Sequence, residues 1–124
     1  MNNKYKEEVI KKWGNTSLYK EYQEKSKNYS NDKLNNIVNE LNNILKEFSF
    51  YMNNGFTPDS NETQNLVLKL KNHITNNFYN CTDEILYNLG QMYVSDERFK
   101  NNIDKNEINT SEYIKKSIEF FCLN

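Results

Sequence analysis

Two side chains in this sequence could take part in nucleophilic or acid–base chemistry, Cys81 and His73. Cys81 stands directly before a predicted helix start, where backbone amides and the positive end of the helix dipole favour a thiolate, the nucleophilic form. Asp83 and Glu84 oppose that effect. On residue type alone, a cysteine is more often a small buried apolar residue, so that interpretation comes first. Cys122, late in the last predicted helix, is expected to be structural.

His73 is the sole histidine, and it falls on the core-facing side of a predicted helix with no Asp or Cys partner nearby in sequence. A semi-buried, hydrogen-bonded imidazole is therefore a better prediction than a general base. The sequence contains no paired carboxylates, no His-x-x-x-His, no phosphate-binding glycine loop and no G-x-S-x-G. We expect no catalytic residues, no metal site and no cofactor.

Aromatic residues are unusually abundant, with nine tyrosines, seven phenylalanines and Trp13 making up 14% of the chain. Phe78-Tyr79 and Met92-Tyr93 flank the predicted helix that follows Cys81, and such clusters usually belong to a core. Tyrosine adds a hydrogen-bonding tip that a core does not require. The excess of tyrosine therefore also suits a cleft for a large, semi-polar ligand, which stays open as an alternative.

The clearest element is an amphipathic helix from Asp32 to Asn54, with apolar residues at steps of three and four. Ser30 is its expected N-cap, and Gly55 stands where a left-handed residue would end it. The next helix is expected to begin around Asp59, whose carboxylate would accept from first-turn amides.

Two further helices are predicted towards the end of the chain. One begins near Thr82 and is interrupted by a short break and restart at Ser95-Asp96-Glu97. The last follows Asn109, the expected cap. These elements predict a single all-α domain over residues 1–124, with about five to seven helices.

The first thirty residues carry thin, aromatic-rich stripes interrupted by Gly14-Asn15-Thr16. This pattern predicts two short helices that are marginal on their own and need a surface to pack against. We therefore expect residues 1–29 to form a mobile lid and residues 30–124 to form the core.

Charge and hydropathy exclude several classes of protein. The formal net charge is −1 and the charges are interleaved, so no direct nucleic-acid binding is predicted. Residues 1–12 lack an apolar signal region, and no run of about 18 apolar residues could span a membrane. A cytosolic protein with free thiols is expected.

Several segments together resemble the TipAS antibiotic-recognition domain, across nearly the whole chain. They are Lys12-Trp13-Gly14-Asn15-Thr16 with Tyr19, Phe78-Tyr79-Asn80-Cys81, Leu89-Gly90-Gln91-Met92-Tyr93-Val94-Ser95-Asp96-Glu97-Arg98-Phe99 and Asn102-Ile103-Asp104-Lys105.

The resemblance implies a globin-like α-helical bundle whose N-terminal helices close over a bound thiopeptide antibiotic. It implies that Cys81 adds to a dehydroalanine of that ligand, which is capture without turnover. Leu70 departs from the histidine of many relatives, and the DNA-binding helices of MerR-type activators are absent from this sequence. The predicted ligand-binding residues are Cys81, Trp13, Tyr19, His73, Phe78, Tyr79, Met92, Tyr93 and Phe99.

Three functions from different classes remain at this stage. The first is a binder that sequesters a small-molecule or peptide antibiotic, either stand-alone or cut from a longer regulator. The second is a regulatory or dimerisation module whose N-terminal helices dock on a protein. The third is an enzyme that uses Cys81 with His73, which would require hydrogen-bond contact between them. The sequence names neither the ligand nor the oligomeric state.

Overall fold

The computed structural model describes residues 17–124, and all of the regular structure in that range is helical. The prediction of an all-α fold is confirmed. The proposed helix around Trp13 lies outside the described residues. In chain order the helices are α1 (Ser17–Ser26), α2 (Asn31–Asn53), α3 (Asn61–Asn77), α4 (Asp83–Ser95), α5 (Glu97–Asp104) and α6 (Thr110–Leu123).

The ends of α2 follow the sequence signals. The Ser30 hydroxyl accepts from the amide of Lys33, and Gly55 adopts the left-handed φ of +81° that glycine allows. The cap predicted for α3 is wrong: Ser60, and not Asp59, accepts from the Thr63 amide. The Asp59 carboxylate instead accepts from the Thr57 hydroxyl at 2.6 Å, inside the preceding turn.

Helices α4, α5 and α6 form the most closely packed part of the fold. The predicted helix start near Thr82 is confirmed, with Thr82 itself as the N-cap of α4, and the predicted break at Ser95-Asp96-Glu97 is confirmed, since Asp96 ends α4 and caps α5. Gly90 of α4 lies against Ile118 of α6, where an added Cβ would approach Ile118 side-chain atoms to 3.2–3.3 Å. A side chain at position 90 would require Ile118 to shift by a few tenths of an ångström.

The cap predicted for α6 is also wrong. Asn109 adopts a left-handed φ of 73° and its side chain makes no capping bond. The carboxylate of Asp104 accepts from the Ser111 amide at 2.8 Å instead, so a residue of α5 caps α6 across the turn. Burial alone would raise the pKa of Asp104, but the bonds from Ser111 and Lys100 outweigh it and lower that pKa.

A line of buried hydroxyl groups ties the α2–α3 turn to α6. Ser60 donates to Thr63, Thr63 pairs with the Tyr113 hydroxyl at 2.8 Å, and Tyr113 donates to the Phe56 carbonyl at 2.8 Å. Each hydroxyl in the line finds a partner, as buried polar groups require.

No helix within residues 17–124 is long and apolar enough to cross a membrane. Within the same range, no three His, Cys, Asp or Glu side chains are grouped in a way that could hold a metal ion.

Candidate functional site

The C-terminal end of α3 is where α1 is attached. The Lys25 ammonium donates to the Thr75 carbonyl at 2.9 Å, and the Tyr29 hydroxyl donates to the Asn77 carbonyl at 3.1 Å. These carbonyls belong to the last turn of α3, whose oxygens have no partner within their own helix and carry the negative end of its dipole. A cation and a hydroxyl therefore suit this end of α3.

One ring contact and one further hydrogen bond complete the attachment. The rings of Tyr22 and Phe78 lie 5.7 Å apart between centroids. The Asn80 amide donates to the Glu21 carboxylate at 2.8 Å. We call Glu21, Tyr22, Lys25 and Tyr29 the α1 latch; of their contacts, the Tyr22–Phe78 pair is the apolar one.

The latch borders the segment that carries Cys81. The Cys81 amide donates to the Thr75 hydroxyl at 3.1 Å, and the carbonyl of that same Thr75 accepts from Lys25. Asn80, which binds Glu21, directly precedes Cys81. Movement of α1 would therefore break the Lys25–Thr75 and Glu21–Asn80 hydrogen bonds, whose α3 and loop partners both adjoin Cys81.

The thiol of Cys81 is buried, with 2% of the residue exposed, and its sulfur donates weakly to the Thr82 carbonyl at 3.8 Å. Burial raises the pKa of the thiol to about 11; Cys122 and Asp83 add to the effect, and Lys71 opposes it. The interpretation of Cys81 as a small buried residue fits this conformation, and its burial opposes the thiolate that the helix start would favour.

Polar groups beside the cysteine are paired with one another. The Lys71 ammonium lies 2.7 Å from the Asp83 carboxylate and 5.7 Å from the centre of the Phe121 ring. Cys122 donates its thiol hydrogen to the Asp83 carbonyl at 3.2 Å, and burial raises its pKa. The Asp83 carboxylate thus offsets the cation that would otherwise stabilise a Cys81 thiolate.

His73 lies on the other side of Phe78, with the two ring centroids 6.0 Å apart. Its Nδ1 atom is 3.3 Å from a Glu40 carboxylate oxygen and 3.2 Å from the Asn77 amide nitrogen. Its Nε2 atom is buried and has no hydrogen-bond partner among residues 17–124. The prediction of a semi-buried histidine fits, but the imidazole is satisfied at one nitrogen. No hydrogen bond within that range joins His73 to Cys81.

A groove of about 670 Å³ runs between α2 and α3 from His73. Its volume is in the range of known small-molecule sites. The lining residues that carry charge or apolar surface are Glu40, Ile44 and Glu47 of α2 and Leu68, Lys69 and His73 of α3, with asparagines between them.

The predicted ligand-binding residues fall into two groups. Tyr19 and Phe78 are half-buried near the latch, together with Cys81 and His73. Tyr79 and Tyr93 are core residues, and Met92 and Phe99 are half-buried against that core, with Tyr93 and Phe99 rings 6.3 Å apart. A contact with ligand stays a prediction for both groups. Trp13 lies outside the described residues.

Comparison with known proteins identifies the family. A family model described as the TipAS antibiotic-recognition domain matches residues 5–121. The chain belongs to the TipAS family. This confirms the resemblance drawn from the sequence motifs.

The curated relatives of this TipAS-family chain are transcriptional activators. HTH-type transcriptional activator TipA, from Streptomyces coelicolor and from Streptomyces lividans, is 34% identical over 114 residues, which is 92% of this chain and 45% of TipA. HTH-type transcriptional activator mta of Bacillus subtilis is 30% identical over 118 residues, 95% of this chain and 45% of its own length. The chain thus spans less than half the length of these relatives.

A solved structure extends the comparison to three dimensions. TipAS of Streptomyces lividans, in complex with the thiopeptide antibiotic nosiheptide, superposes with a TM-score of 0.88 and 32% identity. The match covers 98% of this chain and 85% of that one. The TipAS-family fold is therefore shown for the described helices as well as by sequence.

Sequence reasoning did not identify the α1 latch or the partner residue Thr75. Lys25 lies in the last turn of α1 and Tyr29 in the non-helical segment that follows, so helical spacing does not relate the two side chains. Their acceptors are backbone carbonyls, which leave no signal in the sequence. The α2–α3 groove was missed because its polar lining looks like any solvated helix face.

Proposed function

We propose that this chain binds and sequesters large, semi-polar antibiotics of the thiopeptide class without turning them over. Family membership and the nosiheptide complex of the related TipAS support this proposal. A cytosolic location belongs to the same proposal, because the curated relatives act as transcriptional activators.

The observation that carries the proposal is how α1 is attached beside Cys81. Its hydrogen bonds to Thr75, Asn77 and Asn80 can be exchanged for bonds to water at a net cost of about 1 kcal/mol each. Tyr22 and Phe78 form the apolar part of the contact. A ligand with flat apolar rings and amide groups could replace both kinds of contact, with α1 then closing over it as a lid.

Covalent capture by Cys81 is the second step of the proposal. The sulfur would attack the terminal methylene carbon of a ligand dehydroalanine, forming a C–S bond as the C=C π bond breaks, and the thiol proton would end on the α-carbon. With a pKa of about 11, the Cys81 thiol is almost entirely protonated at neutral pH. Displacement of α1 would hydrate the thiol and lower its pKa, so binding precedes capture.

Intact-mass spectrometry and circular dichroism with nosiheptide test both steps. We expect an adduct in the wild type and in Cys122→Ser, no adduct in Cys81→Ser, and a rise in helicity in all three. An adduct on Cys81→Ser would show that another group is the nucleophile. No adduct and no spectral change in any of the proteins would rule out thiopeptide binding.

A second candidate is a ligand-sensing module of a transcriptional activator. The observation that favours it is that this chain matches 45% of the length of each curated transcriptional activator. The size of the native gene product distinguishes the two. Immunoblotting of host extract would show a product of 124 residues for sequestration, or one about twice as long for an activator.

A further inference from the structure

Asparagine side chains dominate the polar lining of the α2–α3 groove. Asn43 of α2 and Asn65, Asn72 and Asn76 of α3 face it at helical steps of four and seven residues. None of the four asparagine side chains forms a hydrogen bond with another described residue, in contrast to the side chain of Asn77, which is bonded to His73. Four carboxamide groups are therefore available along one groove.

The charged side chains in the same groove, together with His73, form two close pairs between the helices. Lys69 lies 3.3 Å from Glu47, and His73 lies 3.3 Å from Glu40, so each pair joins α3 to α2. With His73 neutral, one lysine and two glutamates leave a net charge of −1. The groove thus disfavours an anionic ligand and suits a neutral or cationic one.

We propose that this groove is a subsite for the backbone amides of a peptide-derived ligand. A carboxamide offers two N–H donors and an acceptor oxygen, so each asparagine can pair with both the C=O and the N–H of a ligand peptide group. Ile44 and Leu68 supply apolar surface for the ligand's rings, and Leu68 is 44% exposed. This inference rests on the proposed function and adds the chemistry that selects the ligand.

The position of His73 supports the proposal independently of the asparagines. The residue is 93% buried, it lines the groove, and its Nδ1 faces a Glu40 whose side chain is 68% exposed. A ligand group can displace so exposed a partner, whereas the imidazole stays in place. His73 would then give the amide subsite a fixed hydrogen-bonding end.

Equilibrium titration with nosiheptide, followed by Trp13 fluorescence, tests the subsite. Each protein carries Cys81→Ser, so that no adduct forms. We expect Asn72→Asp with Asn76→Asp to weaken binding at least tenfold, because two donors are lost and two anions are added. Asn39→Asp with Asn42→Asp, exposed on α2 outside the groove, adds the same charge and should change affinity less than twofold. Equal affinities of the two double variants would overturn the subsite.

Side-chain amide resonances in a ¹⁵N–¹H correlation spectrum give a readout that needs no groove variant. On addition of nosiheptide to the Cys81→Ser protein, the amides of Asn72 and Asn76 should shift while that of Asn88 on α4 stays in place. Shifts near the latch without any at Asn72 and Asn76 would overturn the subsite but leave the proposed function intact.

A second probe separates the two proposals if nosiheptide does not bind at all. Failure of nosiheptide to bind would overturn the proposed function without testing the amide subsite. A capped trialanine peptide at millimolar concentration would then test the groove, with shifts at Asn72 and Asn76 supporting an amide subsite. Unchanged spectra with both probes would overturn the subsite as well.

Discussion

The α4–α6 pair and the α1–α3 junction hold their helices together by different forces. Leu86, Ile114 and Ile118 are completely buried between the closely packed helices at the first. At the second, α1 brings the half-buried Leu18 and Tyr22 to the core, and hydrogen bonds of Glu21, Lys25 and Tyr29 add to that contact. Apolar burial has no substitute in water, whereas hydrogen bonds do.

This difference indicates which helix contact can separate at the lower cost in free energy. Separating α4 from α6 would expose several core side chains, each worth about 1.5–3 kcal/mol. Releasing α1 would cost far less, and Cys81 lies at that edge. A binding protein needs such a division, because a fixed body preserves the site while a detachable edge admits the ligand.

The largest effect is expected from Ile118→Ala at the α4–α6 contact. Removing this fully buried side chain leaves a cavity against Gly90 and should lower the free energy of unfolding by about 3 kcal/mol. Urea unfolding measures the change. Leu123→Ala, at a position that is 71% exposed, is the matched control and should change stability by less than about 0.5 kcal/mol. Similar losses of stability for Ile118→Ala and Leu123→Ala would mean that the α4–α6 contact does not hold these helices together rigidly.

A smaller effect is expected from Tyr113→Phe, which keeps the ring and removes the hydroxyl. The Phe56 carbonyl and the Thr63 hydroxyl each lose a buried partner, so stability should fall by about 1–3 kcal/mol. Thermal unfolding measures it. Tyr87→Phe, on a half-buried tyrosine of α4, is the control, and an equal loss there would remove any special role for the hydroxyl line.

Asp104→Asn should cost about 1 kcal/mol at neutral pH, because the charged acceptor that caps α6 is lost. The pKa of Asp104 is lowered from 3.8, so its stabilisation is complete above that value and disappears as the pH falls through the lower folded pKa. Urea midpoints of wild type and variant should therefore converge below about pH 4. Asp59→Asn, a loop carboxylate, is the control. A difference that persists at pH 2 would contradict the electrostatic origin.

The smallest effect on stability, and the most informative, is expected at the α1 latch. Lys25→Met with Tyr29→Phe should lower the free energy of unfolding by less than about 1 kcal/mol, since both contacts are partly solvated. Alkylation of Cys81 by iodoacetamide at pH 8 should nevertheless accelerate several-fold, read by peptide mass spectrometry against Cys122. Lys27→Met is the control, because among the described residues Lys27 pairs only with the nearby Glu24; it should leave the alkylation rates of Cys81 and Cys122 unchanged. An unchanged Cys81 rate in the double variant would show that α1 does not control access to it.

Local signals predicted the starts of several helices correctly, but the predicted caps of α3 and α6 were wrong. Ser30 caps α2 as predicted, and Thr82 and Asp96 cap the helices that were predicted to begin beside them, because a cap needs only the next three residues. Asn109 does not cap α6, because Asp104 reaches its first turn from α5. Asp59 lost its predicted role to its neighbour Ser60.

The candidate site was predicted in its residue types more than in its geometry. Cys81, His73 and Phe78 were identified from motif and periodicity, and the structure places them around the end of α3. Burial of Cys81 was the first interpretation from residue type, but the raised pKa of its thiol depends on how α3 and α4 pack, which local sequence does not reveal. The latch escaped prediction since its acceptors are main-chain oxygens.

By itself, the sequence determined the helical class, most helix ends, the family and the identity of the nucleophile candidate. The helical class and the helix ends follow from side-chain type at short spacing, which acts within one or two helical turns, whereas the family and the nucleophile candidate follow from the resemblance of the motifs to the TipAS domain. The tertiary structure alone decided how strongly burial raises the pKa of Cys81, which hydrogen bonds attach α1 to α3, and that α2 and α3 leave an asparagine-lined groove. Those features depend on which helix faces meet, and such meetings are set by packing across the whole core.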